Sequence, residues 1–149
     1  TGTITGLFTV LVDGGDMDEP VADAVRGILD GHIVLSRKLA DAGHFPAIDV
    51  PASVSRVMGR VTSPMQQEAA RRARAVIAGY RDVEPLVRVG AFEAGRDPDA
   101  DRAVDLYPTL AAFLQQGPGD PVGDDVAERL VSIVGSADTS SASLLPDPA

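Results

Sequence analysis

TITGLFTVLVDGGDMDEPVADAVRGILDGHIVLSR, residues 3–37, decides how the chain begins to fold. Thr3 to Val12 is dense in β-branched and aromatic side chains and stops at Asp13-Gly14-Gly15-Asp16, a turn signal, so the run reads as a buried strand. Pro20 stands where a helix starts, behind Asp16 and Asp18 as caps, and Val21, Ala22, Val25, Ile28 and Leu29 recur at helical spacing up to Asp30-Gly31. His32 to Ser36 is a second short apolar run, and Arg37 to Ala42 a brief helix closed by Gly43. Strand, helix, strand is a βαβ crossover with parallel pairing. Two parallel strands make a poor sheet alone, so the reading places further strands upstream, in a larger α/β domain.

Working outward, the pattern turns helical after Pro46 and Pro51. Ser63-Pro64 with Gln66 is a capping box with Pro at the first helical position, and Met65, Ala69, Ala73, Val76, Ile77 and Tyr80 mark one face. Arg71, Arg72 and Arg74 fall largely elsewhere and read as a solvated face, with a subunit contact as the alternative. Asp97-Pro98 opens a helix through Val104, Tyr107, Leu110, Ala111 and Leu114, which Pro108 is expected to kink or split. Asp120-Pro121 opens the last, with Val122, Val126, Leu130, Val131 and Val134 as its stripe and Asp124 and Asp125 near its positive end. From Gly135 onward the tail has little to bury and is expected to be disordered.

Composition removes several function classes. Acidic residues number 22 against 13 basic ones, for a net charge of -9, which leaves no broad electropositive surface for a nucleic-acid backbone. The absence of Cys excludes disulfides, thiolate metal sites and cysteine nucleophiles. No apolar run approaches the roughly 20 residues of a membrane-spanning helix, and none reads as a signal peptide. Opening at Thr1 without Met, directly before an apolar run, is expected of a truncated or cleaved product. His32 and His44 have no companions at metal-ligand spacing, so His32 is assigned to strand-end hydrogen bonding and His44 to the surface. Asp16, Asp18 and Glu19 lack the other positions of a calcium loop. No metal site is expected.

Three stretches, residues 2–20, 21–37 and 43–58 (GHFPAIDVPASVSRVM), together resemble the type III protein-export ATPase family, the flagellar export ATPase and its virulence-secretion homologues. The similarity continues more weakly to about Gln116. It implies the C-terminal part of a RecA-like nucleotide-binding domain at 1–60, a small helical domain at 61–135 and a disordered tail at 136–149. The fold class is then α/β plus all-α. A P-loop reads G-x-x-x-x-G-K-[ST], and the single lysine, Lys38, has no glycine loop before it. The resemblance puts the P-loop, the catalytic glutamate and the magnesium-positioning strand upstream of Thr1, so ATP with Mg would be held in a site completed by that part.

The resemblance also assigns residues. Arg56, in Ser-Val-Ser-Arg-Val-Met, matches the family's arginine finger, which acts in trans on a neighbouring subunit's site; a planar, always-charged fork suits two phosphate oxygens. Its alternative is a surface arginine in a salt bridge. Gly59-Arg60 departs from the proline that many relatives carry after Met58. Phe45 stands where the family presents an aromatic ring to adenine; the alternative is a plug at the domain junction. Gly14, Gly15, Asp16, Asp18 and Glu19 match the loop facing a central stalk in rotary relatives, against the plainer reading of a solvated acidic turn. The implied partners are a homo-hexamer, a stalk protein, export chaperones and export substrates, at the cytoplasmic face of the cell membrane, peripheral to the export apparatus. A non-enzymatic interaction module and a rotary ATP synthase alpha/beta-type subunit are the alternatives. Without a P-loop, the chain by itself is expected to release no phosphate from Mg-ATP; steady turnover by the purified chain in a phosphate-release assay overturns that expectation.

Overall fold

Ser63-Pro64-Met65-Gln66 starts the longest element for a local reason. The Ser63 hydroxyl accepts from the Gln66 amide (3.3 Å) while the Gln66 side-chain oxygen accepts from the Ser63 amide (2.8 Å), so two of the donors that a helix start leaves open are satisfied reciprocally. In the computed structural model, which describes residues 2, 4–12, 20–121 and 123–135 apart from the side chain of Val21, this helix runs Pro64–Arg88. It stops where Gly90 takes a positive φ of 70° and Ala91 donates back to the Leu86 carbonyl (2.9 Å), a backbone turn that favours glycine.

The described elements, in chain order, are α1 (Pro20–Ile28), β1 (Gly31–His32), α2 (Arg37–Asp41), β2 (Val54–Ser55), α3 (Met58–Val61), α4 (Pro64–Arg88), α5 (Pro98–Leu114) and α6 (Val126–Gly135). Asp97 caps α5 by accepting from the amides of Asp99 and Ala100. The core lies among the last three helices. Ala69, Ala73, Val76 and Ile77 of α4 close over Leu110 of α5 and Val134 of α6, the i, i+4, i+7, i+8 stripe expected of a one-sided helix. Tyr107, Phe113, Leu130 and Val131 pack around that cluster. Small residues set the α4–α5 approach: a Cβ on Gly79 would sit 3.2 Å from the Ala103 Cβ.

Several expectations are corrected. Over the described residues 4–12 there is no strand, and Ile4, Leu7, Phe8 and Leu11 are exposed, because no other described strand lies beside them to pair. The βαβ crossover gives way to a two-stranded antiparallel sheet, with Gly31 opposite Ser55 and His32 opposite Val54; the chain returns after α2 and pairs with its own upstream segment. Ile28, read as part of a buried face, is 83% exposed, and Met65 is exposed too. Pro108 does not split α5, which continues unbroken to Leu114; the ring lies on the exposed side, where the missing amide leaves no buried acceptor stranded. The last helix begins at Val126 rather than at Pro121. A turn at Gly117–Asp120, closed by Gly117 donating to the Asp120 carboxylate (2.6 Å), and a positive φ at Gly119 hold the preceding residues out of the helix. The loop at 13–19, Val122 and the tail at 136–149 lie outside the described residues.

Leu110 is only 1% exposed and touches both neighbouring helices. Leu110→Ala should therefore cost about 2–5 kcal/mol in urea denaturation, while Thr109→Ala, at an exposed position of the same helix, should stay within about 0.5 kcal/mol.

Candidate functional site

The chain from His44 to Arg56 carries both side chains for which the sequence suggests a nucleotide role. It folds back along residues 30–36. Arg56 donates its amide to the Asp30 carbonyl, Asp49 donates to Val34 and Ser36 donates to Ala47, each at 2.8 Å, and Leu35 bridges Ile48. These two paired stretches are out of register with each other, and a turn at 49–53 takes up the excess. Asp49 builds that turn: its carboxylate accepts from the Ala52 amide (3.2 Å) and its carbonyl accepts from the Ser53 hydroxyl (2.7 Å). The same hydroxyl accepts from the Val34 amide (3.0 Å). His32 Nε2 donates to the Ala52 carbonyl (3.2 Å), which fixes the proton on that nitrogen. Gly31 is required where the strands meet, since a Cβ there would fall 2.6 Å from the Val54 carbonyl oxygen.

Arg56 leaves this return at the end of β2. Its guanidinium donates to the Arg26 carbonyl (3.1 Å) in the last turn of α1, where open carbonyls favour a cation. Among the described residues no carboxylate pairs with it, so the salt-bridge alternative finds no partner there. Phe45 is 55% exposed; its peptide bond to Pro46 is cis, and its carbonyl accepts from the Gln116 amide (2.8 Å). The structure thus puts Phe45 and Arg56 at opposite ends of one antiparallel return. It does not describe Gly14, Gly15, Asp16, Asp18 or Glu19. His44, expected at the surface, is half-buried, and its Nδ1 accepts from the Gln115 side chain (3.3 Å).

The helical bundle reaches this return through Arg81, which the sequence did not single out, and Arg74, which it suggested was solvated. Arg81 donates to the Asp49 carboxylate (3.1 Å) and Arg74 to the Ser53 carbonyl (3.4 Å). Val50 packs against the core cluster, and a small hollow beside it is lined by Leu39, His44, Ile77, Tyr107 and Leu114. Tyr107 stacks on Tyr80 with ring centroids 3.7 Å apart and planes 6° off parallel. Burial, then the neighbouring Tyr80, push the Tyr107 hydroxyl up from its ordinary range. The one signal for this contact is spacing: Arg74 and Arg81 are two helical turns apart and share a face of α4.

Arg71 and Arg72, read as solvated, both turn to Glu68. Arg71 binds it through two nitrogens (2.8 and 2.6 Å) and Arg72 through one (2.9 Å). These bonds, Arg71's first and Arg72's next, pull the Glu68 carboxyl down to about 2. Arg74 joins the turn at Ser53 instead.

Comparison with known proteins gives two family matches along the chain. Residues 1–55 match the ATP synthase alpha/beta family, nucleotide-binding domain, and residues 62–130 match the T3SS EscN ATPase C-terminal domain. A type 3 secretion system ATPase of Pseudomonas syringae pv. syringae is 50% identical over 133 residues, covering 89% of this chain and 30% of that protein. The flagellum-specific ATP synthase of Bacillus subtilis is 46% identical over 136 residues, 91% of this chain and 31% of that protein. The solved structure of the assembled ATPase EscN in complex with its central stalk EscO, from the enteropathogenic E. coli type III secretion system, superposes with a TM-score of 0.71 at 43% identity, over 77% of this chain and 29% of that one. Fold and sequence therefore place the chain in the class of ATP synthase alpha/beta-type ATPases. Within that class it belongs to the type III protein-export ATPase family, whose C-terminal portion it matches without a P-loop of its own. The chain spans about 30% of the length of these curated relatives.

Because the Glu68 pKa is depressed, its pairing with Arg71 and Arg72 is present above the ordinary carboxylate value and is lost only as pH falls through about 2. In an NMR titration the Glu68 carboxyl should stay charged at pH 4, where an unpaired glutamate is largely protonated; a midpoint in the ordinary glutamate range would contradict the pairing.

Proposed function

We propose that this chain supplies the C-terminal elements of the ATP-hydrolysing motor of flagellar or type III protein export. Residues 1–60 finish a RecA-like nucleotide-binding domain, and 61–135 form a helical domain attached to it. Arg56 acts in trans as the arginine finger of a homo-hexamer, and Phe45 gives a wall to adenine. The observation that carries this reading is Arg56 itself: an exposed guanidinium that leans on a backbone carbonyl, immediately after the segment 1–55 that matches the nucleotide-binding domain. A planar fork so placed is free to turn toward phosphate oxygens that develop charge in the transition state.

The residues present fit the flanks of Mg-ATP sites in adjacent subunits and not the centre of either. Phe45 offers a half-exposed ring for the base of its own subunit's site and Arg56 a cation for the terminal phosphate in a neighbour's. The sequence contains no glycine-rich phosphate loop, and among the described residues no cluster of side chains would hold a metal. Bound Mg-ATP would supply the phosphoryl group and its charge neutralisation; this chain's part is to cover the base and to stabilise charge. The many exposed large apolar residues of this part, Ile4, Leu7, Phe8, Leu11, Ile28, Ile33 and Leu35, support the reading that the rest of a nucleotide-binding domain packs against it.

The acidic loop Gly14, Gly15, Asp16, Asp18 and Glu19 is placed by this reading against a stalk protein, in keeping with the central stalk carried by the EscN assembly. The helical domain is the platform for export chaperones and substrates, at the cytoplasmic face of the membrane. No described helix is long and apolar enough to cross that membrane.

The test joins this chain to the preceding part of the Bacillus subtilis flagellum-specific ATP synthase. In that hybrid Arg56→Ala should lower ATP turnover by about 10³-fold while nucleotide binding stays unchanged, and Arg56→Lys should restore little because a point charge does not replace a fork. Undiminished turnover in Arg56→Ala refutes the finger.

A further inference from the structure

Two side-chain bonds from the helical bundle flank the segment that carries Phe45. On one side the Gln115 amide, just past the end of α5, donates to His44 Nδ1 (3.3 Å). On the other, the Arg81 guanidinium of α4 donates to the Asp49 carboxylate (3.1 Å). Between them the Gln116 amide donates to the Phe45 carbonyl (2.8 Å), and Val50 inserts beside Ile77 and Leu114. Arg56 is held by different partners, the carbonyls of Asp30 and Arg26. Both ends of the return pair with residues 30–36, but they differ in what else holds them: the Phe45 end is bonded to the bundle through Gln115, Gln116 and Arg81, whereas the Arg56 guanidinium rests on α1.

We propose that Arg81 and Gln115 are positioning residues for the adenine-facing ring of Phe45, so that the helical bundle sets base affinity while leaving the arginine finger alone. This rests on the reading of Phe45 as the adenine wall. Each bond restrains one neighbour of the Phe45–Ile48 segment, and losing either lets the ring sample positions that do not stack. A ring that is less well placed weakens ground-state binding and transition-state binding equally, which raises KM and spares kcat. Both bonds lie near the surface, with Arg81 at 42% and Asp49 at 20% side-chain exposure, so each effect is a few-fold change rather than a collapse.

In the Bacillus subtilis hybrid, Arg81→Ala and Gln115→Ala should each raise KM for ATP by about three- to fivefold with kcat within about twofold. Arg81→Lys should recover most of the loss, since a single cation suffices for the one bond to Asp49. Adding Arg81→Ala to Phe45→Ala should raise KM no further, because the ring that the strap positions is already gone. An additive effect in that background, or a fall in kcat with KM unmoved, overturns the proposal. Should Phe45→Ala itself leave KM unchanged, the adenine-wall reading fails. The strap is then judged on the 149-residue chain alone: faster amide exchange at Ile48 and Asp49 in Arg81→Ala supports it, and unchanged exchange there sinks it.

Discussion

The buried stripe of α4 is the constraint from which the rest of this structure follows. Ala69, Ala73, Val76 and Ile77 are small or branched, and they let α5 and α6 close directly over the helix at Leu110 and Val134. Only Gly79 and Ala103, meeting without bulk, permit the approach of α4 and α5 on that side. Burying a Val, Ile or Leu side chain in it is worth about 1.5–3 kcal/mol, which outweighs any surface ion pair here. The charged pairs along α4, Glu68 with Arg71 and Arg72 among them, decorate that packing rather than cause it.

With its buried face committed, α4 has the Arg74 and Arg81 side to offer elsewhere, and the turn at 49–53 takes it. The contact combines an ion pair, a bond to a carbonyl and the inserted Val50. A bare hydrogen bond at a protein surface contributes little; an apolar plug beside it makes the arrangement definite, because the bonds then form in one geometry only. In the proposed motor this joins the helical domain to the nucleotide-facing loop. The Arg56 guanidinium, in contrast, rests on α1.

The segments before α3 have a different character. Phe45, Ile33, Leu35 and Val54 are exposed, as are Leu7, Phe8 and Leu11, and two short strands form the whole described sheet. A two-stranded sheet gains little cooperative stability. It persists because side chains lock it: Ser53 bridges Val34 and Asp49, and His32 reaches Ala52.

Much of the local structure was legible in the sequence. Ser63 with Gln66, Asp97 with Pro98, and Gly43 act within one helical turn, so adjacent residues suffice to specify a start or a stop. The spacing of Ala69, Ala73, Val76 and Ile77 likewise announced the inner face of α4, and the family resemblance supplied Arg56 and Phe45 as candidates. What the sequence did not contain was partnership at a distance. The apolar run at 4–12 has strand composition, yet a strand exists only where another backbone accepts its hydrogen bonds, and none of the described residues does so. The pairing of 30–36 with 47–56 came out antiparallel because the chain turns back after α2, and a turn built on Asp49, held by Ser53, Val34 and Ala52 together, absorbs the change of register between its two halves. Arg81 meets Asp49 across 32 positions of sequence; no periodicity carries that information, since only the folded bundle brings the two charges within reach.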